Sequence, residues 1–232
     1  MRKLLACASM LAFVAAASAG TWTETGDAGD APIGSAQATS GAGALTAITG
    51  SMDWFNLGDH VDAYEIVVTD PAAFFASTDP SDGGNFIDDG GSEDDSRLFL
   101  FDMSGNMVMA NDDDPAGTMS FESYISDPST FPGTLVNSPG SVSAGTHYML
   151  AITYFANSLL DSAGTSVATF SPFDGLHGID PTYLGNDHWD NLGDFDNGWT
   201  YTIALGGATY AVPEPGTLAL LGLGALALIR RR

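Results

Sequence analysis

Short apolar runs separated by glycine, proline and aspartate limit what this chain can fold into. The 232 residues include 28 glycines and 11 prolines, which disfavour long helices, and no segment between the two chain ends keeps apolar residues at helical spacing. Runs rich in β-branched and aromatic residues, closed by turn-forming clusters, are typical of strands. They lie at 44–48, 61–68, 97–102, 107–110, 147–155 and 199–205. The pattern predicts an all-β fold, a jelly-roll-like antiparallel β-sandwich.

Two of these runs are predicted to form a hairpin. The turn between 97–102 and 107–110 contains Asp102, whose side chain can accept hydrogen bonds from the turn, and Gly105, which can adopt a positive φ. The residues from Leu98 to Phe101 are continuously apolar. A run of this kind predicts a strand that is buried on both faces, as at the centre of a sandwich.

The first 19 residues have the three parts of a secretory signal peptide. Two basic residues precede an apolar stretch at 4–17, and the small residues Ala17 and Ala19 mark a cleavage site. We expect residues 1–19 to form a signal helix that signal peptidase removes. The mature chain then begins at Gly20.

The other end of the chain combines a proline motif, an apolar run and a basic end. The three parts are Pro213, Glu214 and Pro215, then the uncharged run 217–229, then Arg230, Arg231 and Arg232. As a helix, the run would span about 20 Å against a hydrocarbon core of about 30 Å, and the arginines would stay on the cytoplasmic side. The run is therefore a marginal transmembrane helix. The flanking prolines favour extended backbone that a protease can reach.

This order of parts at 212–232 resembles the PEP-CTERM sorting signal of Gram-negative bacteria, which is read by an exosortase. The resemblance implies export, an inner-membrane intermediate with transient membrane association, and a final location at the cell surface or in the extracellular matrix. An ordinary C-terminal anchor that is never processed is the alternative. The expected partners are exosortase, signal peptidase and extracellular polysaccharide.

The charge of the chain changes when both ends are removed. The whole chain has 29 acidic and 6 basic residues, and the segment 20–211 keeps 28 acidic residues with Arg97 as its one lysine or arginine, a net charge of about −27. A surface of this kind repels nucleic acid, so we expect no nucleic-acid partner. Because the sole cysteine, Cys7, lies in the signal peptide, the mature chain has no disulfide.

Self-repulsion of this size is relieved when cations bind. Short aspartate side chains in glycine-rich turns suit calcium, a hard cation with oxygen ligands. The candidate calcium ligands are Asp59, Asp62, Asp102, Asp112, Asp113 and Asp114. Simple solubility of a secreted protein is the other interpretation of the same residues.

Three stretches resemble landmarks of the bacterial pre-peptidase C-terminal domain. They are DHVDAYEI at 59–66, RLFLFD at 97–102 with NDD at 111–113, and SAGTHYML at 143–150. The resemblance implies a small, generally noncatalytic β-sandwich that accompanies secreted enzymes and sometimes binds calcium. Two departures are visible: the first motif has two residues between Asp59 and Asp62 instead of one, and 156–197 is predicted to be a loop inserted into the domain.

That inserted loop contains the remaining candidate site. Four aspartates, His188 and Trp189 lie within 187–196. The second half approaches the start of a calcium loop but is one residue short of it. If Trp189 and Trp199 are exposed beside the carboxylates, they can stack on a sugar ring. The alternative is that the aspartates lie in solvated turns and that Trp199, which starts a strand, belongs to the core.

No motif for catalysis stands out. Neither a Gly-x-Ser-x-Gly elbow nor a His-Glu-x-x-His helix occurs, so we do not expect an enzyme. The leading hypothesis is an exported, noncatalytic structural or adhesive protein that calcium stabilises. A secreted carbohydrate-binding module is the alternative, followed by a secreted hydrolase.

Overall fold

The computed structural model describes residues 19–53, 59–88, 91–114, 121–170, 175–186, 188–190 and 198–213. These residues form an all-β fold, in which the only helical elements are the 3₁₀ turns Pro71–Ala73 and Pro80–Asp82. The predicted signal helix at 1–19 and the transmembrane helix at 217–229 lie outside the described residues, apart from Ala19. Among the residues described, no helix has the length and apolar character needed to cross a membrane.

Sheet one has six strands. They are β1 (Gly20–Thr23), β4 (Leu45–Asp53), β6 (Phe75–Ser77), β7 (Asn85–Asp88), β10 (Tyr124–Ser126) and β16 (Gly198–Gly206). The long strands β4 and β16 pair antiparallel at its centre, and β16 also pairs with β6 near one end and with β7 near the other. At the edge, β1 joins β4 in parallel.

Sheet two has eight strands. They are β2 (Gln37–Ala38), β5 (Val61–Val68), β8 (Ser96–Asp102), β9 (Met107–Asn111), β11 (Leu135–Val136), β12 (Thr146–Tyr154), β14 (Leu176–His177) and β17 (Ala208–Tyr210). The strand order is β11-β14-β9-β8-β12-β5-β17, and β2 also pairs with β5. All three pairings among β9, β8, β12 and β5 at the centre are antiparallel.

Two small ladders complete the described structure. Strands β13 (Leu159–Leu160) and β15 (His188–Trp189) pair antiparallel. Strands β3 (Ser40–Gly41) and β18 (Val212–Pro213) pair in parallel.

The two large sheets pack face to face over one apolar core. Ile48 and Ile203 of sheet one and Leu100, Leu150 and Ile66 of sheet two have no exposed surface and belong to one cluster. This arrangement confirms the prediction of a sandwich-like all-β fold; the jelly-roll-like topology stays a prediction. The pairing is mixed, however, because β1, β2, β11 and β18 each join a neighbour in parallel. Each of these short strands is joined to its sheet neighbour by a long connection and not by a hairpin. No tight turn therefore imposes an antiparallel direction.

The outer face of sheet two is covered by a second apolar core. Phe99, Phe101 and Met149 point away from the first core and pack with Leu159 and Trp189 of the predicted inserted loop. Leu159, Val167, Ala168 and Trp189 therefore make part of the predicted inserted loop an apolar layer over sheet two. This second layer explains why 98–101 is continuously apolar: successive side chains of β8 alternate between two cores, as the sequence predicted.

The predicted hairpin is present. Strands β8 and β9 pair antiparallel, and Gly105 has φ of 86°. The Asp102 carboxylate accepts hydrogen bonds from the backbone N–H groups of Ser104 (2.8 Å) and Asn106 (3.0 Å). The roles that the sequence predicted for Asp102 and Gly105 in this turn are confirmed.

Candidate metal centre

Three carboxylates meet at one end of the sandwich. Oxygen atoms of Asp27, Asp59 and Asp62 lie within 4.8 Å of one another. Asp27 is exposed and lies in the loop after β1, whereas Asp59, which precedes β5, is 6% exposed and Asp62, the second residue of β5, has no exposed surface. A fourth carboxylate, Glu24, interacts electrostatically with Asp62. We call Glu24, Asp27, Asp59 and Asp62 the acidic cluster.

The fold holds Asp62 firmly. Side chains alternate across β5, so Asp62 shares the inner face of the strand with Tyr64. The Tyr201 hydroxyl donates to Asp62 Oδ2 over 2.6 Å and lies 2.5 Å from the Tyr64 hydroxyl. The Ala28 backbone N–H donates to Asp62 Oδ1 over 3.2 Å. These bonds connect the loop after β1, sheet one and sheet two at a single carboxylate.

Glycine at position 50 leaves room for this arrangement. The Ser51 backbone N–H donates to Glu24 Oε2 over 2.8 Å. A Cβ atom at Gly50 would collide with the Tyr201 hydroxyl and with Glu24 Oε2. A larger residue here would therefore displace two groups that form the wall of the cluster.

Asp59 differs from the other members because part of its side chain has no partner. Its Oδ1 atom is buried from solvent and makes no hydrogen bond within the described structure. Burial, followed by the negative charges of Asp27 and Glu24, raises the pKa of Asp59 to about 7. An unpaired buried acceptor of this kind is costly unless a proton or a cation occupies the site.

The same causes act more strongly on Asp62. Burial and the charge of Asp59 raise the pKa of Asp62 to about 9, although the hydrogen bond from Tyr201 opposes the shift. Without a cation, the protein keeps protons on carboxyl groups that would be ionised in water at neutral pH. A divalent cation among the oxygens would replace those protons and satisfy Asp59 Oδ1. The residues fit a hard cation with oxygen ligands.

A pH dependence follows for the calcium-free protein. Because the folded pKa of Asp59 is about 7 and its ordinary value is 3.8, the folded state holds a proton that the unfolded state has lost between these values. The contribution of the Asp59 proton to the free energy of unfolding is therefore fully present below about pH 4. It is lost as the pH rises through about 7. Urea unfolding in the presence of a chelator should show a steeper fall over this range for the wild type than for Asp59→Asn. Equal slopes would contradict the shift.

The other predicted ligands do not join this cluster. Asp102 is used in the hairpin turn, and Asp112 forms an ion pair with Arg97. Asp113 and Asp114 are each 6% exposed. Among the described residues, the one group of three or more potential ligands within 4.8 Å is Asp27, Asp59 and Asp62. The structure thus brings together two of the six predicted residues, and their role as calcium ligands stays a prediction.

Asp27 and Glu24 were missed from the sequence. They lie more than 30 positions before Asp59, and no spacing rule connects them. The parallel pairing of β1 with β4 and of β2 with β5 carries their loop to the start of β5. Edge pairings of this kind leave little sequence signal.

Trp189 is not exposed, as sugar stacking would require. Its side chain is 5% exposed, and its ring packs edge-on against Phe99 at 5.3 Å and Phe101 at 6.5 Å between ring centroids. Its indole N–H donates to the Asp30 carbonyl over 3.2 Å. The ring is thus part of the second core and has no free face for a sugar. Trp199 is also a core residue, and 191–197 lie outside the described residues.

Comparison with known proteins identifies the C-terminal signal. The family model described as the PEP-CTERM protein-sorting motif matches residues 211–232. This match includes Pro213, Glu214 and Pro215 and the three terminal arginines, and it implies an exported protein that an exosortase processes and sorts to the cell surface. No curated protein matches the chain. The resemblance of the sandwich to the pre-peptidase C-terminal domain stays a prediction.

Proposed function

We propose that this exosortase substrate is a noncatalytic surface or matrix protein whose sandwich is stabilised by calcium at the acidic cluster. The sorting motif at 211–232 supports the proposal that the protein is exported. The calcium part depends on one observation: Asp59 Oδ1 is buried without a partner, beside carboxylate oxygens of Asp27 and Asp62. Its role in the matrix is structural or adhesive, with extracellular polysaccharide as the surrounding partner.

The position of the acidic cluster explains how a cation would stabilise the fold. Glu24 and Asp27 follow the first strand of sheet one, whereas Asp59 precedes β5 of sheet two and Asp62 is its second residue. One ion bound to both pairs would hold the two sheets and the N-terminal loop together. Its binding would also remove the repulsion between carboxylates that raises the pKa of Asp59.

Calcium fits this site better than magnesium. The candidate ligands combine a carboxylate on an exposed loop, Asp27, with a rigid one on a strand, Asp62. Calcium accepts irregular sets of six to eight oxygens, whereas magnesium requires a near-ideal octahedron and gives up its water reluctantly. Calcium sites in extracellular modules have dissociation constants of about 10⁻⁴ to 10⁻³ M.

Thermal melting tests the proposal. The full-length chain, purified in a mild detergent, is melted in a chelator, in calcium and in magnesium. At about 100 times the dissociation constant, calcium should stabilise the folded state by about 2.7 kcal/mol. Magnesium should have a smaller effect.

Two charge-matched variants complete the experiment. Asp59→Asn should lose the calcium response, whereas Asp82→Asn, which removes an exposed carboxylate from the turn Pro80–Asp82, should keep it. The proposal fails if calcium leaves the melting temperature of the wild type unchanged, or if the two variants respond to calcium equally.

A further inference from the structure

A second concave site lies at the same end of sheet two as the acidic cluster, where β8 begins and β9 and β12 end, and β12 lies between β8 and the β5 strand of the cluster. It is a cleft of about 510 Å³, lined by three phenylalanines and by charged side chains. The residues that matter are Phe121, Phe155, Phe170, Asp95, Arg97 and Asp112. The volume lies within the range of about 300–1,000 Å³ that is usual for small-molecule sites. We call it the phenylalanine cleft.

The cleft holds an unusual concentration of exposed aromatic surface. Phe121 is 58% exposed and Phe155 is 37% exposed. Of the phenylalanine, tyrosine and tryptophan side chains within the described ranges, these two are the only exposed ones. Both line the same cleft. Exposed apolar surface that is concentrated in one place commonly marks a binding site.

The two exposed rings are attached to rigid parts of the fold. The Ser96 backbone N–H donates to the Phe121 carbonyl over 3.2 Å, and the Phe155 N–H donates to the Asp95 carbonyl over 3.1 Å. The Phe155 ring also packs on Tyr154, with 4.6 Å between ring centroids. The backbones of both residues and the Phe155 ring are therefore held at the end of the strands next to β8.

The polar side of the cleft is fixed as well. Arg97 donates from Nε to Asp112 Oδ1 over 3.0 Å and from Nη2 to Asp112 Oδ2 over 3.1 Å. Its Nη1 donates to the Asn157 carbonyl and to Ser158 Oγ, and its guanidinium lies 4.1 Å from the centroid of the Phe170 ring. Arginine and carboxylate groups thus face the same space as the rings, in a preorganised ion pair.

We propose that the phenylalanine cleft binds an uncharged glycan. Aromatic faces accept the apolar C–H faces of sugar rings, and fixed carboxylate and guanidinium groups can hydrogen-bond to hydroxyl groups around them. The charge of about −27 of the segment 20–211 repels acidic polysaccharides and other polyanions. This site replaces Trp189 as the sugar-binding surface, and it does not depend on calcium in the acidic cluster.

Binding to immobilised oligosaccharides tests the proposal. The full-length chain in mild detergent is applied to neutral hexasaccharides of glucose, mannose, galactose and N-acetylglucosamine, and to a polyuronate. We expect binding to at least one neutral hexasaccharide and none to the polyuronate. Phe121→Ala and Phe155→Ala should each weaken that binding at least tenfold, because each removes one stacking face.

Met103→Ala provides the control. Met103 is 51% exposed in the hairpin turn at the opposite end of β8, so its removal takes away apolar surface outside the cleft and should leave binding unchanged. The proposal is overturned if the wild type binds none of the neutral hexasaccharides, or if the two phenylalanine variants bind as well as Met103→Ala does.

Discussion

Replacing Arg97 with methionine is expected to lower the free energy of unfolding by about 3–5 kcal/mol, the usual cost of removing one partner of a buried ion pair. Arg97 is 6% exposed and makes two hydrogen bonds to Asp112, whose side chain is 13% exposed. Methionine fills a similar volume but leaves the Asp112 charge without its cation. Urea unfolding at a fixed calcium concentration measures the change.

The double variant Arg97→Met with Asp112→Asn distinguishes the cost of an unpaired Asp112 charge from the cost of the lost Arg97 packing. Removing both charges should recover part of the stability, because the Asp112 charge no longer stays in the protein interior without its cation. A cost below about 1 kcal/mol for Arg97→Met alone would show that the pair behaves like an exposed salt bridge.

Trp189→Ala should destabilise the protein to a similar extent, by about 3–5 kcal/mol, as is usual for a buried aromatic residue replaced by alanine. The indole packs on Phe99 and Phe101 and donates to the Asp30 carbonyl, so its loss opens a cavity between sheet two and its outer layer. The same urea measurement applies.

Phe121→Ala is the matched control for an exposed ring. At 58% exposure, its loss should change stability by no more than about 0.5 kcal/mol. The two aromatic variants therefore separate packing from ligand binding: Trp189→Ala loses stability, and Phe121→Ala loses glycan affinity. Equal stability of both variants would mean that the second core does not form in solution.

Local sequence patterns predicted most of the central strands. The run 61–68 coincides with β5, and the β8–β9 hairpin follows from Asp102 and Gly105. Such elements depend on the alternation of side chains and on turn chemistry, which are properties of neighbouring residues. They could therefore be recognised without any knowledge of the remaining chain.

Only two of the four residues of the acidic cluster could be predicted from the sequence. Asp59 and Asp62 are close in sequence and were recognised, but Asp27 reaches them through edge pairings that no local pattern encodes. Trp189 was misplaced for a related reason. A short segment rich in Asp and Asn resembles a solvated loop, and its burial depends on Phe99 and Phe101, some 90 positions earlier in the chain.

The last strand determines how the sorting signal can be approached. Val212 and Pro213 pair with Ser40 and Gly41 in the ladder of β3 and β18, so the first residue of the Pro213-Glu214-Pro215 motif is part of the folded domain. An exosortase that needs the whole motif in its active site must therefore compete with this ladder for Pro213. Pro213 thus belongs both to the sorting motif and to the ladder of β3 and β18. If the domain folds before processing, the enzyme must first separate β18 from β3. If processing comes first, the whole motif is accessible.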